Sequence, residues 1–428
     1  MLTGELKNKI LSGEADKTLT ELCAVSEARL PEKRERLGKA CDSFVSIFGE
    51  GDCMALSVGG RSEISGNHTD HNRGRVIAAA IDLDIIAIAG KTEYGVITVK
   101  SEGFEADVVE PSAVEVPDEK KYFSSAAIIA GMEKAFLDRG YKIGGFNAYT
   151  TSNVFKGSGL SSSAAFEVMI GNILNYLYND GKISNVEIAK MSQFAENVYF
   201  GKPCGLMDQT ACAVGGFITI DFADPSAPVI EKLDFDMTRA GYDLCIIDTG
   251  GNHADLNDDY ASVPAEMKAV AAFLGKTVLR EADTAELYEK APLIRESLGD
   301  RALLRAFHFM AENERVGKQC DALKAGDIDS FFKYVLESGN SSFRYLQNVY
   351  TTKNVREQGL SLALCLTESF LKDDLSAWRV HGGGFAGTVQ AFVPHAKTAA
   401  YKEYMEKVFG AGKCYVLNVR AGGALKIL

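Results

Sequence analysis

The chain has 428 residues, 46 of them basic and 58 acidic, which gives a formal net charge of -12. Its length is sufficient for a large core shared between two lobes, and its acidic balance without a basic block disfavours nucleic acid or an anionic membrane surface as a partner. The nine cysteines show no Cys-x-x-Cys spacing. Because they are scattered and odd in number, we expect reduced thiols in a cytoplasmic location. No run of eighteen apolar residues is present, so membrane spanning lacks support.

The first part of the chain has the spacing of a helical arm followed by strands. Residues 1–50 carry helical periodicity, and Phe44 is expected to anchor this arm through its apolar face. Short apolar runs then predict strands at 55–58, 76–81, 84–89 and 96–99.

A polar segment between the first two of these strands holds several chemistry-bearing residues. It places Arg61 near Asn67, His68, Asp70 and His71, between glycines, and its lack of hydrophobic periodicity predicts a loop. Each residue alone has a plainer explanation as a surface charge, a loop histidine or a turn former. Together they predict a binding cleft. A metal site is less favoured, because the two histidines lack a third histidine or a cysteine nearby.

The most readable stretch of the sequence is a glycine loop that opens a helix. Its residues are Gly157, Ser158, Gly159, Leu160, Ser161, Ser162 and Ser163. Small residues allow a close turn with exposed N–H groups, a helix N-terminus attracts phosphate, and serine hydroxyls could serve Mg²⁺. The plainer alternative is a small-residue cap on a core helix. The loop is not a P-loop, because Lys156 precedes the glycines.

The second half of the chain alternates helical and strand patterns. Residues 185–200 predict an amphipathic helix with Glu196 at the border of its apolar face. Gly205 then precedes Asp208, which could cap a helix or act as a base. The remaining expectations are strands at 217–222, 243–248 and 388–393, a polar turn at Tyr260, mainly helices over 264–345, and a glycine-rich turn at 382–387.

Three separated motifs and an aspartate segment between them resemble the GHMP small-molecule kinases, most closely the galactokinases. The pattern Gly-Arg-x-Asn-x-Ile-Gly-Glu-His-Thr-Asp-Tyr-Asn aligns without gaps over residues 60–72. Gly-x-Gly-Leu-Ser-Ser-Ser-Ala is met at 157–164, and Gly-x-Gly-Phe-Gly-Gly at 382–387, where Ala386 replaces a glycine. Residues 203–209 look like the family's aspartate segment. The resemblance therefore covers nearly the whole chain, with four motifs in order.

The resemblance implies an α+β, two-lobed fold, with lobes of about residues 1–220 and 221–428 and an active site in the cleft between them. It implies ATP as co-substrate, with its phosphates over the 157–163 loop, and Mg²⁺ held by Ser163 and Glu196. Asp208 would face the reacting sugar hydroxyl, and Arg61 would stabilise developing charge, since phosphoryl transfer needs mainly positioning and charge cancellation. The residues that would hold the sugar are Asn67, His68, Asp70, Gly205 and Tyr260.

Two departures from the galactokinase pattern fall in the sugar site. Asn67 replaces a glutamate expected to bind the 6-hydroxyl, and His71 replaces a tyrosine. Galactose phosphorylation at carbon 1 is the first expectation, and Asn67→Glu should then preserve or improve it. Galacturonate is the alternative, because an amide can donate to a carboxylate and His71, Arg73 or Arg75 could add positive charge. In that case the same substitution should lower activity.

A third possibility is a sugar sensor that binds ligand without turnover. The sequence disfavours it, because a sensor need not keep Ser163, Glu196, Asp208 and Arg61, the groups that would serve the metal and the hydroxyl.

Overall fold

The structure is a computed structural model that describes residues 1–110, 116–154, 159–202, 204–251 and 256–428. Among these residues, no helix is long and apolar enough to cross a membrane. The helices in this part of the chain are α1 (Thr3–Ser12), α2 (Asp16–Glu21), α3 (Leu30–Phe48), α4 (Ser125–Asp138), α5 (Ser162–Tyr178), α6 (Asn185–Phe194), α7 (Met207–Val214), α8 (Asn257–Phe273), α9 (Thr284–Leu298), α10 (Asp300–Ala325), α11 (Ile328–Ser341), α12 (Gly359–Leu371) and α13 (His395–Phe409). The strands are β1 (Met54–Ser65), β2 (Arg75–Lys91), β3 (Ile97–Ser101), β4 (Ala106–Val109), β5 (Phe146–Ser152), β6 (Phe217–Asp221), β7 (Val229–Leu233), β8 (Tyr242–Asp248), β9 (Ala377–His381), β10 (Thr388–Pro394), β11 (Cys414–Leu417) and β12 (Leu425–Lys426).

These elements form two compact units, each made of segments that are separate in sequence. Unit 1 comprises Met1–Arg61, Ala79–Gly216 and Arg420–Leu428. Unit 2 comprises Ser62–Ala78 and Phe217–Val419. The division into lobes at residues 220 and 221 stays a prediction, and each compact unit takes in residues from both sides of it.

Unit 1 is built on a sheet in which neighbouring strands follow the order β12-β1-β2-β5-β3-β4. β2 is rich in isoleucine and alanine and is buried along nearly its whole length, which is typical of a strand covered on both faces. β5 pairs with β2 in antiparallel register and with β3 in parallel register. The helical arm packs on this sheet through one apolar cluster that includes Leu6, Leu37, Phe44 and Ile86. Phe44 is therefore an anchor, as its spacing predicts.

Unit 2 contains an antiparallel four-stranded sheet in the order β11-β8-β10-β9. One apolar cluster covers this sheet, with Cys245, Val389 and Tyr401 among its buried members. A second cluster joins α8, α9 and α10 to Phe385 of the glycine-rich turn. Phe385 and Ala386 anchor the turn in the second cluster, whereas the strands on either side of it, β9 and β10, belong to the first.

Several predicted elements differ from the structure, and three differences affect the site. The strand expected at 55–58 continues to Ser65, so Arg61 lies on a strand and the prediction of a loop there is wrong. Tyr260 lies in α8 and the expected polar turn is wrong as well. The helix expected over 185–200 is α-helical only to Phe194 and continues as a π-helical turn, Ala195–Phe200. The two strands expected at 76–81 and 84–89 form one long strand, β2.

A buried carboxylate, Asp84 of β2, joins the parts of unit 1. Its side chain is fully buried and lies 2.5 Å from Nζ of Lys33 and 2.7 Å from Nη1 of Arg36, both on α3. The Ser57 hydroxyl on β1 donates to it over 2.5 Å. Burial alone would raise the pKa of Asp84, but the Lys33, Arg36 and Arg420 charges hold it well below its usual value. The ionised carboxylate therefore stabilises the folded unit.

We predict that Asp84→Asn lowers the free energy of unfolding by about 3–5 kcal/mol, because it leaves Lys33 and Arg36 without their counter-charge. Urea unfolding at neutral pH measures the loss. Because the folded-state pKa is depressed, the contribution of Asp84 is present above the unfolded value of about 3.9 and is lost as the pH falls below it.

The matched control is Asp42→Asn. Asp42 lies 2.6 Å from Lys7, but its side chain is 61% exposed, so the expected loss is below about 1 kcal/mol. Equal losses for the two variants would contradict the role assigned to Asp84.

Candidate active site

The predicted catalytic pair, Arg61 and Asp208, is in direct contact within unit 1. Arg61 lies near the end of β1, and Asp208 lies in the first turn of α7. Two nitrogens of the guanidinium group, Nε and Nη2, each donate to a different oxygen of the Asp208 carboxylate over 2.8 Å. This two-point geometry fixes both planar groups, as is typical of strong arginine–carboxylate pairs.

The end of the glycine loop supplies further contacts of this pair. Arg61 donates from Nη1 to the Gly159 carbonyl and from its backbone N–H to the Leu160 carbonyl, the second over 3.1 Å. Ser161 precedes α5 with a left-handed φ of 58°, and its hydroxyl donates to Asp208. The sequence left open a small-residue cap on this helix, but the Ser161 side chain makes no capping hydrogen bond. It donates to the Asp208 carboxylate instead.

Two further serines of the predicted ATP loop lie at the start of α5. Ser162 and Ser163 form its first turn, and Ser163 is exposed. Gly157 and Ser158 lie outside the described residues. Gly205 is exposed in the segment ahead of α7, in the same unit as Asp208.

The electrostatic setting of Asp208 keeps it ionised. Burial alone would raise its pKa, but the Arg61 charge and the hydrogen bonds from Ser161 and Arg61 hold the pKa below its usual value. The carboxylate remains about one-third exposed, at 33%. Asp208 therefore carries a negative charge that a ligand can reach. Because its pKa is depressed, it is a weak base.

Glu196, the predicted metal ligand, belongs to a second cluster of unit 1 acids. It lies in the π-helical turn and is only 3% exposed. Gln209 donates from its amide nitrogen both to Glu196, over 2.7 Å, and to the buried Glu167, over 3.0 Å. Lys202 lies 3.1 Å from the other oxygen of Glu196. Two buried carboxylates are therefore joined by one amide, and one of them, Glu196, is also paired with a lysine.

This cluster has the donor set that a hard cation prefers. Oε1 of Glu167 is buried and has no hydrogen-bond partner among the described residues. Burial and the neighbouring Glu196 charge raise the pKa of Glu167 well above its usual value. Within the described part of the chain, no group of three His, Cys, Asp or Glu side chains is arranged around a metal position. Mg²⁺ usually takes only one or two carboxylates and completes its shell with water and phosphate, so the carboxylates fit it.

The predicted sugar residues form a separate cavity inside unit 2. Its volume is about 280 Å³, near the lower end of ligand-binding pockets. It is lined by Glu63, Asn67, His68, Asp70, His71, Tyr260, Pro264 and Gly383. The structure thus brings together four of the five residues predicted to hold the sugar, whereas Gly205 does not line this cavity.

A sharp turn after β1 presents these residues to the cavity. Gly66 has a φ of 94°, and a Cβ atom there would come within 2.5 Å of the Arg75 carbonyl, so a side chain is excluded. Glu312 of α10 accepts from the Gly66 N–H over 3.1 Å. The turn ends in a 3₁₀ segment, Asp70–Asn72.

The glycine-rich third motif forms the opposite wall. Nε2 of His68 is 2.9 Å from the Gly383 carbonyl, and the Tyr260 hydroxyl donates to the Gly384 carbonyl over 2.6 Å. A Cβ atom on Gly383 would lie 2.6 Å from the Tyr260 ring. Both side chains are therefore positioned by the backbone of this turn, which explains the glycine run.

The side-chain amide of Asn67 makes all its hydrogen bonds with other residues of the protein. Its amide nitrogen donates to Glu63 over 3.1 Å and to the Gly382 carbonyl over 2.8 Å. Its amide oxygen accepts from Asn348 over 2.7 Å and from Ser342 over 3.2 Å. The idea that this amide donates to a substrate carboxylate is therefore not supported. Asn67→Glu would remove both donors and bring a second carboxylate beside Glu63, which argues against an improvement, and its effect on galactose phosphorylation stays a prediction.

The proposed cations for a 6-carboxylate are engaged elsewhere or neutral. Arg73 lies 3.3 Å from Glu281, and Arg75 lies 2.7 Å from Asp221. Burial, together with the His68, Lys268 and His308 charges, lowers the pKa of His71 to about 3. At neutral pH His71 is therefore uncharged.

Sequence reasoning missed several residues that shape these two regions. Glu63 stands where the family pattern has asparagine, so the acid and the amide of that pattern have exchanged places, and this departure could have been noticed. Gln209 follows the aspartate and Glu167 lies on α5, but nothing in their spacing shows that they meet. Asn348 lies in a segment without motif character.

Comparisons with known proteins identify the family of this chain. Residues 42–91 match the family described as galactokinase galactose-binding signature, and residues 124–216 match the GHMP kinases N terminal domain. A galactokinase of Streptomyces coelicolor is 31% identical over 380 residues, which cover 87% of this chain and 93% of the relative. A galactokinase of Clostridium tetani is 29% identical over 84% of this chain and 89% of the relative.

Solved structures show the same fold. The crystal structure of Lactococcus lactis galactokinase complexed with galactose superposes with a TM-score of 0.74 at 25% identity, covering 90% of this chain and 98% of that one. The Methanococcus jannaschii mevalonate kinase shares the fold with a TM-score of 0.60 at 15% identity, over 86% of this chain and 99% of that one. The α+β fold class predicted from the motifs is confirmed.

The chain is thus a GHMP kinase, a phosphotransferase of the class that uses ATP as co-substrate. Within that class it belongs to the galactokinase family. The resemblance read from the four sequence motifs is confirmed.

Proposed function

We propose that this chain transfers the γ-phosphoryl group of ATP to the carbon 1 hydroxyl of galactose. The observation that carries the choice of sugar is the charge of the unit 2 cavity. It presents the carboxylates of Glu63 and Asp70 and the neutral His71, and no lysine or arginine lines it among the described residues. Such a lining suits the hydroxyl groups of a neutral sugar. The names of the relatives and the galactose bound to the Lactococcus protein support the same choice.

In this proposal Asp208 and Arg61 act on the reacting hydroxyl. The ionised Asp208 accepts a hydrogen bond from the hydroxyl and orients its oxygen toward the γ-phosphorus. A new P–O bond forms to that oxygen, the bond to the β,γ-bridging oxygen breaks, and the hydroxyl proton leaves through Asp208 to solvent. Since its pKa is depressed, Asp208 serves mainly by orientation and charge. Arg61 fixes the carboxylate and offsets negative charge as the phosphoryl group transfers.

The ATP phosphates are assigned to the loop of residues 157–163 and the N-terminus of α5. Support comes from the family match over this segment and from the N–H groups that a helix N-terminus leaves unpaired. Ser163 and Glu196 would hold Mg²⁺, with Glu167 beside them as a second carboxylate. When bound, Mg²⁺ would neutralise phosphate charge. Lys202 is 57% exposed and can move aside from Glu196.

A galacturonate kinase finds no comparable support. A 6-carboxylate would lie among the Glu63 and Asp70 carboxylates without a cationic partner among the described cavity residues. Burying two like charges together is costly. A sensor without turnover is also disfavoured, because the Arg61–Asp208 contact is intact.

An ATP-consumption assay over a sugar panel tests the proposal. The purified protein should phosphorylate galactose with a kcat/KM at least about 100-fold above that for galacturonate, given the two carboxylates in the cavity. Talose and glucose serve as ring epimers at carbons 2 and 4. Preference for galacturonate, or no ATP consumption with any sugar, would overturn it.

We predict that Asp208→Asn lowers kcat by about 10²–10⁴-fold, because the amide keeps the shape but loses the charge that orients the hydroxyl. Nucleotide affinity, measured by calorimetric titration, should change little. The control is Asp221→Asn, since Asp221 is also paired with arginines, at 2.7 Å from Arg75 and 2.9 Å from Arg280, but is outside the proposed site. Near-native turnover of Asp208→Asn would make this residue only a structural partner of Arg61.

We predict that Glu196→Gln raises the Mg²⁺ concentration needed for half-maximal turnover by about tenfold, since a hard cation prefers a charged oxygen to an amide oxygen. Sugar affinity should change less. Glu133→Gln is the matched control, because Glu133 is a buried glutamate of the same unit that lies on α4. A shared shift in both variants, or none in either, would argue against the metal role of Glu196.

A further inference from the structure

One carboxylate in the sugar cavity has no role in the family pattern. Glu63 is the third-to-last residue of β1, and its side chain is only 11% exposed. Oε1 accepts from the Asn67 amide over 3.1 Å. No described residue donates a hydrogen bond to the other oxygen, Oε2, although the residue lines the cavity. The Glu63 carboxylate is therefore held in place through Oε1, and its Oε2 can accept a hydrogen bond from a ligand in the cavity.

Asn67 accounts for the orientation of this acid. Its amide is bound at four points, by Glu63, the Gly382 carbonyl, Asn348 and Ser342. A side chain fixed in this way cannot rotate toward a substrate without breaking those bonds. Asn67 is therefore a positioning residue for Glu63, and the hydrogen-bonding capacity at this part of the cavity is that of the glutamate.

A structural role for Glu63 is the competing explanation. The guanidinium of Arg379 is buried, and its Nη2 lies 3.9 Å from Oε1 of Glu63. This separation is longer than a hydrogen bond, and Arg379 donates instead from Nη1 to the Ile64 carbonyl over 3.2 Å. Arg379 therefore leaves Oε2 of Glu63 available to a ligand.

We propose that Glu63 is the residue that determines sugar specificity, by accepting a hydrogen bond from a hydroxyl of a neutral sugar and by repelling a sugar that carries a carboxylate. This inference rests on the proposed sugar-kinase function and adds to it the group that selects among sugars. A hydrogen bond to a charged acceptor is roughly twice as strong as a neutral one, so the glutamate and a glutamine differ measurably.

The test is the ratio of kcat/KM for galactose to that for galacturonate in wild type and Glu63→Gln. We expect the galactose value to fall about 10- to 100-fold, mainly through KM, because a charge-assisted hydrogen bond is lost. The galacturonate value should stay level or rise, because a like charge is removed. The ratio should therefore shrink at least tenfold. Glu281→Gln, which changes the ion pair with Arg73 in the same unit, should leave the ratio unchanged.

A second variant separates the specificity role from the structural one. Glu63→Asp keeps the charge but shortens the side chain, so it should weaken galactose use and still exclude galacturonate. Thermal unfolding is recorded for each variant. If Glu63 is only a counter-ion of Arg379, Glu63→Gln lowers Tm, Glu63→Asp does so less, and both sugars lose activity equally. An unchanged ratio overturns the inference.

A failure of the proposed kinase function can be distinguished from a failure of the inference about Glu63. A wild type that consumes no ATP with galactose removes that function, whatever Glu63 does. Calorimetric titration with galactose and galacturonate then tests Glu63 directly, because wild type should bind galactose more tightly than Glu63→Gln does. Equal binding by the two proteins would reject the inference.

Discussion

The buried charge of Asp84 is the constraint around which unit 1 is arranged. An ionised carboxylate inside a protein needs partners, and here they come from α3, from β1 and from the segment that holds Arg420. The backbone of the same residue exchanges hydrogen bonds with Asn153, over 2.6 Å and 3.1 Å, just before the residues assigned to the phosphates. One residue thus contacts both the strand that carries Arg61, through its carboxylate, and Asn153, through its backbone.

Three carboxylic acids of this protein have different neighbours, and these neighbours suit them to different chemical roles. Asp208 faces an arginine and a serine hydroxyl and stays ionised with a depressed pKa. Glu167 shares an amide with Glu196, and burial raises its pKa. Glu63 has an amide on one oxygen and no hydrogen-bond donor among the described residues on the other. The same functional group is therefore suited to orient a nucleophile, to meet a cation and to receive a hydroxyl.

Sequence reasoning recovered the family and the fold class, because these depend on short motifs in which the residues lie close together. It also singled out Arg61 and Asp208, which are in contact in the structure, while their catalytic roles stay a prediction. It misplaced β1, since glycines and polar residues at 59–65 read as a loop although the strand is buried on every position. It also treated Asn67 as a free amide. Its partners Asn348 and Ser342 are more than 270 residues away, at separations of 281 and 275. No local sequence pattern predicts such contacts. Only these contacts show why an amide at position 67 orients an acid at position 63.

The segmented make-up of unit 1 has a consequence for how the chain folds. β12 pairs with β1, with Leu56 opposite Lys426, and the Ile427 N–H donates to the Ala55 carbonyl over 2.7 Å. Arg420 is fully buried in the same unit. About 200 residues of unit 2 are made between Gly216 and Arg420, which takes about 10–40 s at about 5–20 residues per second. During that interval β1 has an unpaired edge, a feature that invites association with other chains. The segment Arg420–Leu428 pairs with this edge of β1. Unit 1 therefore completes its fold only after unit 2 has been synthesised, although most of unit 1 is synthesised first.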